Sequence, residues 1–352
     1  MTLALTHSVA LQGLEGHLVT IEVDIADGLP GYALLGLPDA ALSESRDRVR
    51  SAIVNCGEVW PNRKVTVSLS PAWLPKSGSS FDLAICIALL SAHETVPTER
   101  ISEVVFLGEL SLDGKIRSVR GVLPALMAAY KAGVTMAVVP AANVEEAQLM
   151  QGMEIIPMHH LKQVLRWLRT GEREVEQQID LQWQPSDERL DFADVAGQPA
   201  ARLAAEIAAV GGHHILLIGP PGAGKTMIAE RIPTIMPALS IAQALEVTAV
   251  HSIAGTLTQR SPLSLLAPIV SPHHTTTRVA MVGGGSHAIK PGACSLAHHG
   301  VLFIDEAPEC GPGVLDSLRQ PLESGTITIA RSIGNVTFPA QFLLVLAANP
   351  CP

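Results

Sequence analysis

Gly219-Pro220-Pro221-Gly222-Ala223-Gly224-Lys225-Thr226 fits the pattern G-x-x-x-x-G-K-[ST], whose backbone N–H groups wrap nucleotide phosphates. The glycines let the backbone close on the phosphates with no Cβ in the way. Lys225 brings a point charge to the β- and γ-phosphates, and Thr226 offers a hydroxyl to Mg²⁺. His214 to Ile218 reads as a buried strand leading in, and Met227 to Arg231 as the start of a helix leading out. That order of strand, glycine loop and helix predicts bound ATP with Mg²⁺. A structural glycine turn is the competing reading.

Two further stretches complete such a site. Val301-Leu302-Phe303-Ile304 is a continuous apolar run ending in Asp305 and Glu306, as suits a central parallel strand covered on both faces. Asp305 is expected to hold Mg²⁺ through water, and Glu306 to orient and polarise the attacking water. The plainer alternative is an acidic strand end capping the next helix. Phe342 to Ala348 reads as a second strand, ending in Asn349 and Pro350. An amide at that carboxyl edge reaches the γ-phosphate or the water, although Asn-Pro is also a common turn signal. Lys225, Glu306 and Asn349 are therefore the expected catalytic set.

The chain has 352 residues, enough for two domains with separate cores. Its longest apolar run, Leu83 to Leu90, is far shorter than a membrane span. No basic segment followed by an apolar core opens the chain, so no signal peptide is expected. The five cysteines form no C-x-x-C pair, which fits a reducing cytosol and a cytoplasmic protein. A net charge of −9 argues against a broad basic surface, yet a few cations can still line a local channel. With only 3% aromatic residues, base stacking is not the expected mode of nucleic-acid binding.

In the first half, Val19, Ile21, Val23 and Ile25 alternate with polar residues as a half-buried strand. Asp39 to Cys56 reads as one helix with Asp39 as N-cap. Strands over 65–69, 104–107 and 134–139 and helices over 81–92 and 123–132 follow, implying a mixed α and β domain over 1–168. Residues 169–190 turn charged and Gln-rich and read as an exposed linker. From 191 to 352, helices alternate with buried strands, as a parallel nucleotide-binding sheet requires.

Asp194-Val195-Ala196-Gly197-Gln198, the helix after it, His213-His214 and the phosphate loop together resemble the AAA+ ATPases. Ser271-Pro272-His273-His274, Met281 to Gly285, Ser295 to Gly300 and Leu318 to Gly325 narrow the resemblance to the magnesium-chelatase-like branch, and within it to the YifB/ComM family. The resemblance implies an ATPase that assembles as a ring, usually a homo-hexamer, and acts on DNA as a helicase or branch-migration motor in recombination or transformation. A chelatase-type remodeler of a partner protein is the alternative, with an ATP-dependent peptidase behind it. Two insertions would face the pore: a glycine-rich loop near 281–292, and a hairpin from Thr326 to Phe338 whose turn centres on Gly334-Asn335. Arg278, Lys290 and Arg331 would touch DNA phosphates, or else be ordinary solvated charges.

The first half is similar to the proteolytic domain of Lon, with its ribosomal-protein-S5-like fold. Ser80 in Pro75-Lys76-Ser77-Gly78-Ser79-Ser80 falls on the nucleophile's position, but Leu123 stands where that family carries its lysine. A serine hydroxyl needs a base, so Ser80 is expected to be a turn or cap residue and peptidase activity is not expected. The 13 histidines include four adjacent pairs, 159–160, 213–214, 273–274 and 298–299. Neighbours on a strand or helix point apart, so no metal is expected there. Past Pro352 the resemblance would place an arginine finger and a helical lid, so this chain is expected to bind ATP·Mg²⁺ and turn it over poorly.

Overall fold

The computed structural model describes residues 2–173, 190–257, 263–285, 289–331 and 334–350. It divides into two compact units, residues 1–181 and 182–352.

The first unit runs β1 (Thr2–Gln12), β2 (Glu15–Ala26), β3 (Gly31–Leu35), α1 (Ala40–Ser43), α2 (Ser45–Asn55), β4 (Lys64–Ser70), α3 (Asp82–Ala92), β5 (Val104–Phe106), β6 (Glu109–Leu110), β7 (Ile116–Arg117), α4 (Val122–Lys131), β8 (Met136–Pro140), α5 (Val144–Ala147), β9 (Glu154–Met158) and α6 (Leu161–Thr170). Its seven-stranded sheet has the order β3-β4-β2-β1-β5-β8-β9. α2, α3 and α6 share one core with Val19, Ile21 and Val23 of β2. α4 packs with Val9 of β1, Val105 of β5 and Val139 of β8 in a second core. Every residue of α3 is buried, so the helix has no polar stripe.

Two sequence expectations change here. The helix expected over 39–56 is two helices: Asp39 caps only α1, accepting the Leu42 N–H at 2.8 Å, and the chain re-forms a helix after Glu44. β1 was not foreseen. Its exposed positions carry Leu3 and Leu5 while Thr6 and Ser8 are buried, which inverts the usual polar alternation.

The second unit holds α7 (Pro199–Gly211), β10 (Ile215–Ile218), α8 (Lys225–Arg231), α9 (Ile241–Ala254), β11 (Ile269–Val270), α10 (Arg278–Val282), β12 (Gly283–Gly284), β13 (Lys290–Pro291), α11 (Ala293–Leu296), β14 (Val301–Ile304), α12 (Pro312–Asp316), α13 (Arg319–Ser324), β15 (Thr326–Arg331), β16 (Gly334–Pro339) and β17 (Leu343–Ala348). β10, β17, β14 and β11 form a parallel sheet in that order. Val301 and Phe303 of β14 enter one core, and Leu302 and Ile304 the other. Both faces of β14 are therefore covered, which is why its sequence is apolar without alternation. Because the sheet is parallel, all four strands end at the same edge. That edge carries the site.

The hairpin pairs Arg331 with Gly334 and Ala330 with Asn335. Gly334 and Asn335 therefore belong to β16, and the two-residue connection is 332–333, which lies outside the described residues. The pleat alternation of β16 takes precedence over the turn propensity of Gly-Asn. Most of the stretch read as a linker, 174–189, also lies outside the described residues.

Candidate functional site

The site grows from the ends of three adjacent strands. β10 pairs with β17 as far as Ile218 opposite Ala348, and the Gly219 N–H donates to the Ala348 carbonyl at 3.2 Å. The chain then turns through Pro220 to Ala223 into α8. Gly222 and Gly224 have φ of 78° and 82°, and a Cβ on either would meet nothing within 4 Å. These positions need glycine for backbone conformation, not for room. Gln198, at the start of α7, donates through Nε2 to the Ala223 carbonyl at 3.4 Å.

Lys225 opens α8 and folds back over the loop. Its ammonium lies 2.6 Å from the Gly219 carbonyl, 3.1 Å from that of Pro220 and 2.9 Å from Asn349 Oδ1. All three of its donors are thereby used. Asn349 leaves β17 at the same edge. Thr226 donates its hydroxyl to Asp305 Oδ2 at 2.9 Å, joining α8 to the end of β14. Asp305 Oδ1 accepts the Glu306 N–H at 2.9 Å. Glu306 sits in the left-handed region, φ 50°, an unusual conformation for a residue with a side chain. The structure thus gathers Lys225, Thr226, Asp305 and Asn349 through direct contacts, with Glu306 bonded to Asp305 through its backbone.

Mg²⁺ takes hard oxygen ligands and keeps several of its waters. The Thr226 hydroxyl and Asp305 carboxylate are a hard-oxygen pair of that kind, 2.9 Å apart beside the phosphate loop. These residues fit the ion.

One residue the sequence reading did not place at the site is His274. Its Nδ1 lies 3.1 Å from Glu306 Oε2. The signal for it is topological: β11 runs parallel to β14, so the residues leaving β11 arrive beside Asp305 and Glu306. β11 has only two residues, too few to betray a strand in sequence.

Arg278 is exposed at the start of α10, and Lys290 is exposed in β13, which pairs with β12. Gly283 joins the two expected insertions: a Cβ there would lie 2.7 Å from the Lys290 carbonyl and 3.1 Å from Ile329 Cδ1 of β15. Arg331 closes β15, and its side chain is outside the described set.

Two histidine pairs do not point apart. The rings of His273 and His274 stack at 4.0 Å, and those of His298 and His299 at 3.8 Å. Both pairs lie outside helices and strands, and His299 has φ 57°, so the alternation rule does not apply. His298 and His299 each place Nε2 on Glu246 Oε2, at 3.2 and 2.9 Å. This is the one metal-competent cluster among the described residues. Its chemistry is that of hydrogen bonds. His298 Nδ1 accepts the Gln341 N–H at 3.2 Å, so Nε2 carries the ring proton and donates it to Glu246. A metal on Nε2 would require that proton to move to Nδ1, against another N–H.

In the first unit Leu123 is buried, and its N–H donates to Glu146 Oε1 at 2.8 Å. Ser80 accepts the Gly108 N–H through its carbonyl, and Ser79 donates its hydroxyl to Glu109. Lys76 is fully buried, its ammonium on the carbonyls of Leu69 and Pro71, and burial lowers its pKa.

No helix among the described residues is long and apolar enough to cross a membrane. Residues 191–352 match the family described as magnesium chelatase, subunit ChlI, and residues 21–143 match subunit ChlI of Mg-chelatase. The whole chain is 51% identical to an uncharacterized protein of Mycobacterium tuberculosis, over 70% of that protein's length. It is 42% identical to the uncharacterized protein YifB of Escherichia coli and 40% identical to the competence protein ComM of Haemophilus influenzae, each over all of this chain and 69% of the relative. A partial match links it to Lon protease 1 of Myxococcus xanthus, 27% identical over 44% of this chain and 20% of the protease. The mixed α/β architecture, the parallel sheet and full-length identity of this order mean that the chain belongs to the YifB/ComM family of magnesium-chelatase-like AAA+ proteins, with a Lon-like first half.

Proposed function

We propose that this protein binds and hydrolyses ATP with Mg²⁺, within a ring of identical chains, to drive movement on DNA. The observation that carries the nucleotide reading is the meeting of Lys225, Thr226, Asp305 and Asn349 at one edge of one parallel sheet. In this reading Thr226 and Asp305 hold Mg²⁺, which when bound neutralises charge on the β- and γ-phosphate oxygens. Lys225 exchanges loop carbonyls for phosphate oxygens. Asn349 steadies that ammonium from the neighbouring strand and reaches the γ-phosphate. Glu306 orients the attacking water and polarises it. The acceptor and donor types match phosphate, ammonium, ion and water in turn.

DNA as the substrate is supported by the likeness to ComM, a competence protein, and by exposed Arg278 and Lys290 on adjoining elements. Remodelling of a partner protein is the second reading, favoured by the match to a magnesium-chelatase subunit. The two separate on the ATPase rate with and without forked DNA. Stimulation that fades with salt supports the DNA motor; no stimulation and no salt-sensitive binding favours the remodeler. Under both, Lys225→Ala should abolish binding of a fluorescent ATP analogue. Retained tight binding by that variant would overturn the nucleotide site itself. Gel filtration with a non-hydrolysable analogue tests the ring.

A further inference from the structure

We propose that a cleft along α6 of the first unit is a binding site for linked phosphates, as carried by an inorganic polyphosphate or by the backbone of a nucleic-acid strand. The site is built wholly from first-unit residues and does not depend on the ATPase reading above.

The cleft has a volume of about 270 Å³. α6 contributes Lys162, Arg166 and Arg169 to its lining, and the chain just past α2 contributes Cys56 and Glu58. A helix turns about 100° per residue, so positions 162, 166 and 169 fall on one stripe. The rest of α6 is turned inward, with Leu161, Val164, Leu165, Trp167 and Leu168 buried. Like charges three or four residues apart oppose helix formation, so this stripe works against the element that carries it. Two glutamates offset part of that cost: Glu172 Oε2 lies 3.2 Å from Arg166 Nη2, and Glu58 Oε1 lies 2.7 Å from Arg169 Nη2. The Arg166 pair is exposed, at 57% and 69%, and pairs of that kind give way readily to a competing anion. Lys162 has no carboxylate partner among the described residues. Among the described residues lining the cleft, Glu58 is the one carboxylate against three cations, in a chain whose net charge is −9.

The chemistry of the lining selects phosphate. Arginine's planar fork takes two phosphate oxygens at once, and lysine supplies a compact charge beside it. Seven residues of helix rise about 10 Å, while a nucleic-acid strand carries one charge per about 3.4 Å. The stripe therefore matches a short run of phosphates better than a single one. Among the described lining residues none is aromatic, so no base stacks there and the site reads charge, not sequence. Burial raises the Cys56 thiol although the Lys162 charge pulls it down, so at neutral pH that wall stays uncharged. Arg169 is already oriented: its Nε donates to the Thr95 carbonyl at 3.1 Å while Glu58 holds Nη2. Glu58 thus stands where a ligand oxygen would sit.

The test uses the full chain carrying Lys225→Ala, so that the glycine loop of the second unit is weakened equally in every comparison. Inorganic tripolyphosphate is titrated by calorimetry, and a short labelled single-stranded DNA by fluorescence anisotropy. Removing the three cations together (Lys162→Gln, Arg166→Gln and Arg169→Gln) should weaken binding of at least one probe about tenfold or more at low salt. For DNA, the slope of log affinity against log salt should also fall by about 2, since each phosphate contact on a single strand contributes about 0.7. The double variant Lys162→Gln, Arg166→Gln spares the contacts of Arg169 and should give an intermediate loss at the parent's melting temperature. Glu58→Gln keeps an acceptor for Arg169 but removes the charge, and should tighten the same probe about threefold. Loss with tripolyphosphate alone assigns a small free ligand; loss with DNA assigns the strand backbone. Unchanged binding of both probes in the double and triple variants overturns the proposal. So does an equal loss when three exposed cations elsewhere in the first unit are removed (Arg50→Gln, Arg63→Gln and Lys115→Gln). Weaker or unchanged binding in Glu58→Gln overturns it as well. Failure of the ATPase reading would leave each of these outcomes untouched.

Discussion

Gly36 and Gly224 both take a positive φ, 107° and 82°, but a side chain would meet different things at each. A Cβ on Gly36 would lie 2.3 Å from the Leu69 carbonyl oxygen, whereas one on Gly224 would meet nothing within 4 Å. Gly224→Ala therefore costs about 1 kcal/mol of backbone strain and should leave the melting temperature within a few degrees. ATP-analogue affinity should fall about tenfold or more, because the loop must close without the strain. Gly36→Ala should destabilise the first unit by on the order of 3 kcal/mol in denaturant unfolding, since clash adds to strain. The buried Arg48–Asp82 pair makes a second residue-scale case. Asp82 is fully buried, with Arg48 Nε at 2.7 Å, and burial pushes its carboxyl up to about 6 against the pull of that guanidinium. A raised carboxyl pKa means that the folded protein holds this proton more tightly than the unfolded chain, so the group favours folding as pH falls from about 6 toward 4. Arg48→Met should cost about 3 kcal/mol at pH 7 by leaving a buried charge unpaired. The deficit should shrink at pH 5, where a neutral carboxyl needs no counter-charge; an equal deficit at both would refute the assignment.

At the scale of elements, the parallel sheet is pinned at both ends. The phosphate loop joins β10 to β17 at one edge. At the other, just before β17, the Gln341 N–H donates to His298 Nδ1 at 3.2 Å and the Gln341 carbonyl accepts the His299 N–H at 2.6 Å. Burial, then the neighbouring His299, lowers His298 to about 4. Its folded-state pKa is below the unfolded value, so its contribution is complete above about pH 6.5 and is lost as pH falls toward 4. The melting temperature of the second unit should drop across that window, and His298→Gln should flatten the slope in a pH series. Legibility at this scale followed apolar continuity: the strand expected to be buried over 214–218 is legible as β10, yet it lies at the sheet's edge with Leu216 and Ile218 exposed. β14 and β17 were readable because strands buried on both faces are continuously apolar. β1 was not, because its buried positions include Thr6 and Ser8, and Thr6 donates to the Ala84 carbonyl at 3.0 Å in the interior. A polar residue satisfied by a partner remote in sequence looks exposed to any local reading.

For the molecule as a whole, each core is drawn from its own part of the chain. The two clusters of the first unit end at Leu168, and those of the second begin at Phe192. α6 finishes the first unit with a capping box at His160 and a left-handed Gly171 after its last turn. Arg169 and Thr170 close α6, so the linker expected over 169–190 starts later, and we propose that residues 171–190 serve as the linker. Residues 1–170 expressed alone should then fold cooperatively, with one sharp denaturant transition and the near-ultraviolet signal of buried Trp167. A broad, non-cooperative transition would show that the first half depends on the second.

The chain's own sequence determined the glycine loop, the acidic strand end and the likeness to the magnesium-chelatase-like AAA+ family, because each depends on contiguous residues whose backbone needs are local. Glycine where φ is positive, apolar runs where both faces are covered, and carboxylates at a strand end are all written in order along the chain. Tertiary structure decided that His274 meets Glu306, that His298 and His299 share Glu246, and that Gly334 belongs to a strand. Those outcomes follow from which strands are neighbours and in what register, and pairing between distant segments has no signature in either segment alone.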